Sequence, residues 1–249
     1  MAGKSYAISD LHGHYQVLLQ MLEKIHFDDQ DTLYLLGDCN DRGTKAMEIY
    51  DFLKKHPDNM FLLKGNHELM MRNFLQYNAW DCPDGRMWRD NGGMKTMDSF
   101  DRYLQRKYGV GQDISVPKEE FRRWMMGYVD SLPSYMEVNV GGQAFVLIHA
   151  GIDPEKRLEE QDEEICAWIR EYFFMSPGLK GKTIVFGHTP TCHLSGISDN
   201  FDIWHDPIYE DKIGIDGGLG PYPNGQLNCL CLNDLSVTVI KSKDAPDEE

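Results

Sequence analysis

Three times before residue 78 the sequence repeats one unit: an apolar run, a polar loop, then residues at helical spacing. Tyr6-Ala7-Ile8 leads into Ser9-Asp10-Leu11-His12-Gly13, after which Tyr15, Leu18, Leu19, Leu22 and Ile25 recur along one helix face. Thr32-Leu33-Tyr34-Leu35-Leu36 leads into Gly37-Asp38-Cys39-Asn40-Asp41-Arg42-Gly43, followed by Ala46, Ile49, Tyr50 and Leu53. Met60-Phe61-Leu62-Leu63 leads into Gly65-Asn66-His67-Glu68 and a helix running toward Tyr77. Strand–helix–strand–helix–strand predicts parallel strands joined by right-handed crossovers, hence an α/β fold. Polar residues just past the carboxyl ends of such strands sit where open sheets bind ligands.

From Ala79 to Pro133 the pattern changes to helical, charged stretches holding Trp80, Trp88, Gly92-Gly93 and Trp124, which predicts a lid-like helical insertion over 79–133. Strands return at Tyr135–Val140 and Gln143–Ile148, joined by the hairpin signal Gly141-Gly142. A helix over Asp162 to Phe173 follows, then strands at Thr183–Phe186, Lys212–Ile215, Leu227–Leu232 and Leu235–Ile240, the last two turning at Asn233-Asp234. No repeat, low-complexity segment or linker divides the chain, so 1–249 reads as one domain, with 243–249 an acidic tail expected to be mobile.

Forty acidic against 25 basic residues give a net charge of −15. Such a surface repels phosphate backbones and argues against general nucleic-acid or anionic-membrane binding, although a bound cation would override the field locally. No apolar run is long enough for a membrane span, and the first residues lack a signal-peptide core. The six cysteines form no C-x-x-C, which suits reduced, buried thiols and a cytoplasmic protein. Cys229 and Cys231 alternate along a strand and share one face.

Asp10 and Asp38 lie 28 residues apart, as do Asp38 and Asn66: one strand–helix unit each time. His149 and His188 also follow apolar strands, Phe145–Ile148 and Ile184–Phe186. Five strands therefore deliver Asp, His, Asp, Asn, His and His to one edge, a donor set that suits first-row divalent metals.

D-x-H-G, G-D-x-x-D-R-G and G-N-H-E in this order, with His149-Ala150-Gly151 and Gly187-His188-Thr189 behind them, resemble the calcineurin-like metallophosphoesterases. More narrowly they resemble the PPP-superfamily serine/threonine protein phosphatases in their compact bacterial and phage form. The matches run from residue 10 to about 218. The resemblance implies a two-sheet β-sandwich core flanked by helices. It implies two divalent metal ions, manganese foremost with iron or zinc as alternatives. Asp10 and His12 would hold one, Asp38 would bridge both, and Asn66, His149 and His188 would hold the second. It further implies in-line attack by a metal-bridging hydroxide, His67 as general acid, Asp41 orienting and charging it, and Arg42 and Arg170 as phosphate-binding groups. Arg170 is placed by the triplet Trp168-Ile169-Arg170; Asp216 matches a family position near the site without an assigned role. Ser9, Asn40 and Ala150-Gly151 depart from the commonest family pattern but remove no ligand.

Around these residues blander readings hold. His14, His26, His56, His193 and His205 have no motif support. Met70-Met71 and Met125-Met126 read as gap fillers. Arg102, Arg106, Lys107, Arg122 and Arg123 read as a solvated helical face rather than a polyanion contact. Trp80 and Trp88 fit lid packing at least as well as stacking on a base. The expected activity is hydrolysis of phosphate monoesters, with phosphoserine or phosphothreonine in proteins first and phosphotyrosine as an extension. A nucleotide-directed hydrolase (dinucleoside tetraphosphatase or 2′,3′-cyclic phosphodiesterase) is the alternative, and a catalytically silent binding module the remote one. The expected partner is a phosphorylated protein or small phosphoester.

Overall fold

The computed structural model describes residues 3–111, 113 and 115–244; residues 245–249 of the expected mobile tail lie outside them. The elements run β1 (Ser5–Ile8), α1 (Tyr15–Lys24), β2 (Thr32–Leu35), α2 (Ala46–Lys55), β3 (Met60–Leu62) and α3 (Asn66–Tyr77). The insertion supplies α4 (Pro83–Asp90), α5 (Gly93–Tyr108) and α6 (Ser115–Ser131). Then come β4 (Tyr135–Val140), β5 (Gln143–Ile148), α7 (Glu163–Trp168), α8 (Glu171–Phe174), β6 (Thr183–Phe186) and α9 (Thr191–Ser195). The chain ends on β7 (Trp204–His205), β8 (Lys212–Gly214), β9 (Gln226–Cys231) and β10 (Val237–Lys241).

Two mixed sheets form, in the orders β10-β9-β1-β2-β3 and β4-β5-β6-β8-β7. β1, β2 and β3 are parallel, in the register Ala7 to Tyr34 to Phe61, and β9 closes antiparallel against β1. β5, β6 and β8 are likewise parallel, with β4 and β7 antiparallel at the edges. Strand alternation sorts side chains between layers. Ala7, Phe145, Leu147, Val185, Ile213 and Leu230 meet between the sheets, while Tyr6, Ile8, Leu33, Leu35, Leu227, Cys229 and Cys231 face the helices over the first sheet. Val146, Ile148, Ile184 and Phe186 face outward from the second sheet, against Phe173 and Cys166. Each such buried side chain contributes roughly 1.5–3 kcal/mol, so Phe145→Ala would cost about 3–5 kcal/mol.

The α/β class, both sheets and the helical insertion agree with the sequence reading. The Gly141-Gly142 hairpin forms with φ of 62° and 89°, as a primed two-residue turn requires. Met70, Met71 and Met125 fill the core, and all six cysteines are free thiols. Arg106, Arg122 and Arg123 pair with surface glutamates.

Three details differ. The helix expected over 162–173 is two short helices, because Ile169 turns extended and Arg170 sits at φ −134°, ψ −107°. The last strand starts at Val237, because the turn is longer than Asn233-Asp234: Leu235 takes φ 58° and Asp234 accepts the backbone N–H of Ser236. The two-residue strand β7 has no periodicity to announce it. Among the described residues no helix is long and apolar enough to cross a membrane.

Candidate active site

The loops leaving β1, β2, β3, β5 and β6 meet at one edge, where both sheets present their carboxyl ends. Ten non-glycine residues among those described have positive φ, and Asp10, His12, Asp38, Asp41, Arg42 and His188 are six of them. Left-handed backbone costs such residues of order 1–3 kcal/mol each and persists only where the surroundings over-determine it.

Glu68 does much of that determining. Fully buried, its carboxylate accepts the backbone N–H of Gly65 (3.0 Å), Asp38 (2.8 Å) and Cys39 (2.8 Å) and the hydroxyl of Tyr50 (3.1 Å). It thereby fastens the loop after β2 to the start of α3. Burial raises its pKa, and those N–H donors and His149 pull it back. Gly65 is glycine for clearance, since a Cβ there would collide with Asp38 Oδ1. Asn40, the departure from the family pattern, is a knot: Nδ2 donates to His67 O (3.2 Å), Oδ1 shares the single hydroxyl proton of Tyr50 (3.0 Å) with Glu68, and its carbonyl lies 3.0 Å from His12 Nδ1.

Two groups of buried side chains bring donor atoms within 4.8 Å of one another: His12, Asp38 and His67, and Asp38, His149 and His188. Asp38 belongs to both. Asn66 Oδ1 joins the second, 2.9 Å from His149 Nε2 and 2.9 Å from His188 Nδ1. Asp10 stands outside both groups, its Oδ2 taking hydrogen bonds from the Ser9 hydroxyl and the His188 amide (3.1 Å).

The donor chemistry fits divalent cations. His149 Nδ1 lies 2.7 Å from the carbonyl of Leu36, which assigns its proton there and leaves the Nε2 lone pair facing Asn66 Oδ1 and, at 3.4 Å, Asp38 Oδ1. Three electron pairs thus converge with no proton between them. His188 Nε2 is buried and has no hydrogen-bond partner among the described residues. Asp38 and Asp216 are pushed well above the usual carboxylate range, first by burial and then by Asp10. His188 is pushed down by burial, then by His149 and Arg170. Such crowding is what cations relieve.

Within the first group, His67 also belongs to an acid–base pair. His67 Nδ1 is 2.6 Å from Asp41 Oδ2, and both residues are buried. Asp41 is further held by Trp88 Nε1 (2.9 and 2.8 Å to its two oxygens) and Thr96 Oγ1 (2.6 Å), while its own N–H donates to Thr96 (2.8 Å). Burial raises its carboxyl to about 7 against the pull of Thr96, Asn40 and Trp88. His67 is held well below its ordinary value by burial, then by Arg42 and His149.

Trp88 and Thr96 come from the insertion, which therefore forms a wall of the site. Trp88 is wholly buried, stacked on Trp80 (5.6 Å, 12°) and against Phe74, so it offers no face to a base. Gly92, at φ +100°, lets the α4–α5 turn approach Arg42; a Cβ there would lie 2.7 Å from the Arg42 nitrogen.

Arg42 spans the first group, Nη1 donating to His12 Nε2 (2.7 Å) and Nη2 lying 3.4 Å from His67 Nε2. Arg170 reaches Thr189 Oγ1 (2.6 Å), and the charges of both arginines are felt at Asp216. The break between α7 and α8 is what turns Arg170 inward. All ten residues singled out from sequence thus come to one edge. The residues missed are Glu68, Trp88, Thr96 and Tyr50. Glu68 stood in the quoted G-N-H-E, but the three supports from helix interiors carry no local signal.

The calcineurin-like phosphoesterase family profile matches residues 3–209. The chain belongs to that family. The α/β two-sheet architecture described above is the fold in which that family match sits. It is 29% identical over 158 residues to the symmetrical bis(5′-nucleosyl)-tetraphosphatase of Neisseria gonorrhoeae, a match covering 63% of this chain and 46% of that protein. The chain thus spans about half the length of that curated relative. Among solved structures, a candidate diadenosine tetraphosphatase superposes with TM-score 0.63 at 15% identity, over 97% of this chain and 94% of its own. A serine/threonine protein phosphatase of Saccharomyces cerevisiae gives TM-score 0.54 at 16% identity, over 100% and 82%. At such identities the likeness concerns the fold.

Proposed function

We propose that the protein hydrolyses phosphate esters and anhydrides of small nucleotides, dinucleoside tetraphosphates foremost. The convergence of Asp38, His149, His188 and Asn66 donor atoms beside the His67–Asp41 pair carries the hydrolase reading. The substrate class follows the curated relative's name, which reverses the order given by the sequence, where phosphoproteins came first.

Asp10, His12 and Asp38 would hold one divalent cation, and Asp38, Asn66, His149 and His188 the other. When bound, such cations offset charge developing on the phosphoryl oxygens and acidify an attacking water. Arg42 and Arg170 would grip the non-bridging oxygens, a guanidinium matching two oxygens at once. A phosphate that takes up the donors of Arg42 frees the Nε2 lone pair of His67, which takes a proton from solvent and then gives it to the leaving oxygen. Asp41, accepting at Nδ1, balances the charge of the doubly protonated ring. Trp88 and Thr96 keep Asp41 in place through that change.

The intact Asp41–His67 pair favours a second reading, phosphoprotein hydrolysis, because the tetraphosphatase motif usually lacks that acid. A panel of diadenosine tetraphosphate, 2′,3′-cyclic AMP and phosphopeptides, each with manganese, iron or zinc added separately, tests both. Nucleotide turnover well above phosphopeptide turnover is expected. The reverse order would install the second reading, and no turnover with any metal would remove both.

A further inference from the structure

A groove of about 690 Å³ opens beside the donor cluster, a volume in the range of small-molecule sites. Both walls begin at the candidate active site. One wall carries Thr189, which follows His188 in sequence and takes the hydrogen bond of Arg170. The other carries Tyr222, reached through a loop whose Gly220 lies against His14 and His12. Trp204 and Phe174 line the groove, and both rings rest on the buried Phe186, at 6.2 Å and 5.7 Å. Phe174 lies nearly parallel to Phe186 (28°) and Trp204 stands edge-on to it (77°), so the two supported rings are inclined to each other and can offer a flat group one face and one edge contact. On the Tyr222 wall, its hydroxyl lies 2.6 Å from His193 Nε2, a polar pair set among apolar neighbours. Met175 and Ile208 stand exposed at the rim, at 72% and 67%.

The charges of the lining limit what can enter. Among the described residues Arg170 is its one lysine or arginine, and it stands at the Thr189 end, next to His188 in sequence. Asp206 is already engaged by the buried Lys212 at 2.5 Å, which leaves Glu171 as the remaining acid. A polyphosphate chain would find no second guanidinium or ammonium in this lining. A flat, uncharged heteroaromatic group would find stacking surface and hydrogen-bonding groups.

Resting on the nucleotide reading above, we propose that this groove is the nucleoside subsite, in which Trp204 stacks the base and Phe174 packs against its edge, in a substrate whose scissile phosphate lies at Arg170. Nothing local in the sequence announces it: His193 belongs to no motif, and β7, which carries Trp204, is two residues long.

Two measurements on the whole, manganese-loaded protein test it. First, adenosine alone is expected to quench tryptophan fluorescence in the unaltered protein and not in Trp204→Phe. Second, the ratio of kcat/KM for diadenosine tetraphosphate to that for p-nitrophenyl phosphate is expected to fall about ten-fold in Trp204→Ala and in Ile208→Glu, as loss of one stacked base does. Ile208→Glu alters an exposed rim position, so it reads the groove even if Trp204→Ala fails to fold. Nucleotide turnover with an unchanged ratio in both variants would remove the subsite and leave the nucleotide reading standing. Adenosine quenching through Trp204 without nucleotide turnover would uphold the subsite and remove the hydrolytic reading. If the variants weaken phosphopeptides more than nucleotides, the groove holds peptide and the proposal is overturned.

Discussion

The two sheets contribute to the candidate site by different means. From the first sheet come Asp10, His12, Asp38, Asp41 and Arg42, all in left-handed backbone. Glu68, Asn40, Thr96 and Trp88 pin this side through a dense set of buried hydrogen bonds. From the second sheet come His149, anchored by one bond to the Leu36 carbonyl, and His188, whose Nε2 has no partner among the described residues. The first half is fixed by many buried side-chain hydrogen bonds within its own loops; the second is fixed by fewer, and those reach across to the first sheet at Leu36, Asp10 and Asn66. Preorganisation through supporting hydrogen bonds is therefore concentrated where proton transfer and phosphate grip are assigned.

Asp38 spans both halves, so its loss should have the largest effect. In Asp38→Asn, turnover should fall by more than the loss in His67→Asn, and elemental analysis should show fewer than two metal equivalents. Unchanged turnover and stoichiometry would dissolve the link between the halves. His67→Asn should cost roughly 10²–10⁴-fold on substrates with poor leaving groups and far less on p-nitrophenyl phosphate, whose leaving group needs little protonation. Equal losses on both substrates would remove His67 as the acid.

Support from the insertion is measurable as stability. Thr96→Val takes a donor from the buried carboxylate of Asp41 and should destabilise the protein by about 1.5–3 kcal/mol in urea unfolding, lowering kcat more than it changes KM. If neither changes, the insertion gives the site no support. On the other half, adding manganese to chelator-treated protein should raise Tm, and less so in His188→Ala, because binding to the folded form alone is what stabilises. Equal shifts in both would place His188 outside the binding set.

The smallest effect expected lies in the acid limb of the stability curve. Burial alone would raise the carboxyl of Asp206, but the hydrogen bond from Lys212, the N–H groups of Ile208 and Tyr209 and the charge of Lys212 outweigh it, and the pKa is lowered. A folded value below the unfolded one means stability present above roughly pH 4 and lost as pH falls through the folded value. Asp206→Asn should flatten that limb; an unaltered acid limb would show that the pair contributes nothing there.

What the sequence disclosed follows the same division. The motif residues were readable because strand–loop–helix units recur at one spacing and end in unusual polar clusters, Asp10 to Gly13 and Gly37 to Gly43 among them. The supports were not readable. Trp88 and Thr96 look like ordinary residues of an amphipathic insertion until the fold brings them to Asp41, 47 and 55 residues away in sequence. The break at Ile169-Arg170 escaped because the apolar spacing of Ile165, Trp168 and Phe173 reads as continuous helix, whereas the reach of Arg170 toward Thr189 depends on tertiary contact. Strand β7, two residues long, gives periodicity nothing to register.

The position of β9 beside β1 has a bearing on synthesis. A chain emerging from the ribosome displays the unpaired edge of β1 until Gln226–Cys231 has followed it out. Through most of translation the strand leading to Asp10 is thus an open template for other β-segments. Nascent chains stalled short of that stretch would be the aggregation-prone species, and the first sheet gains its last neighbours only once β9 and β10 have emerged.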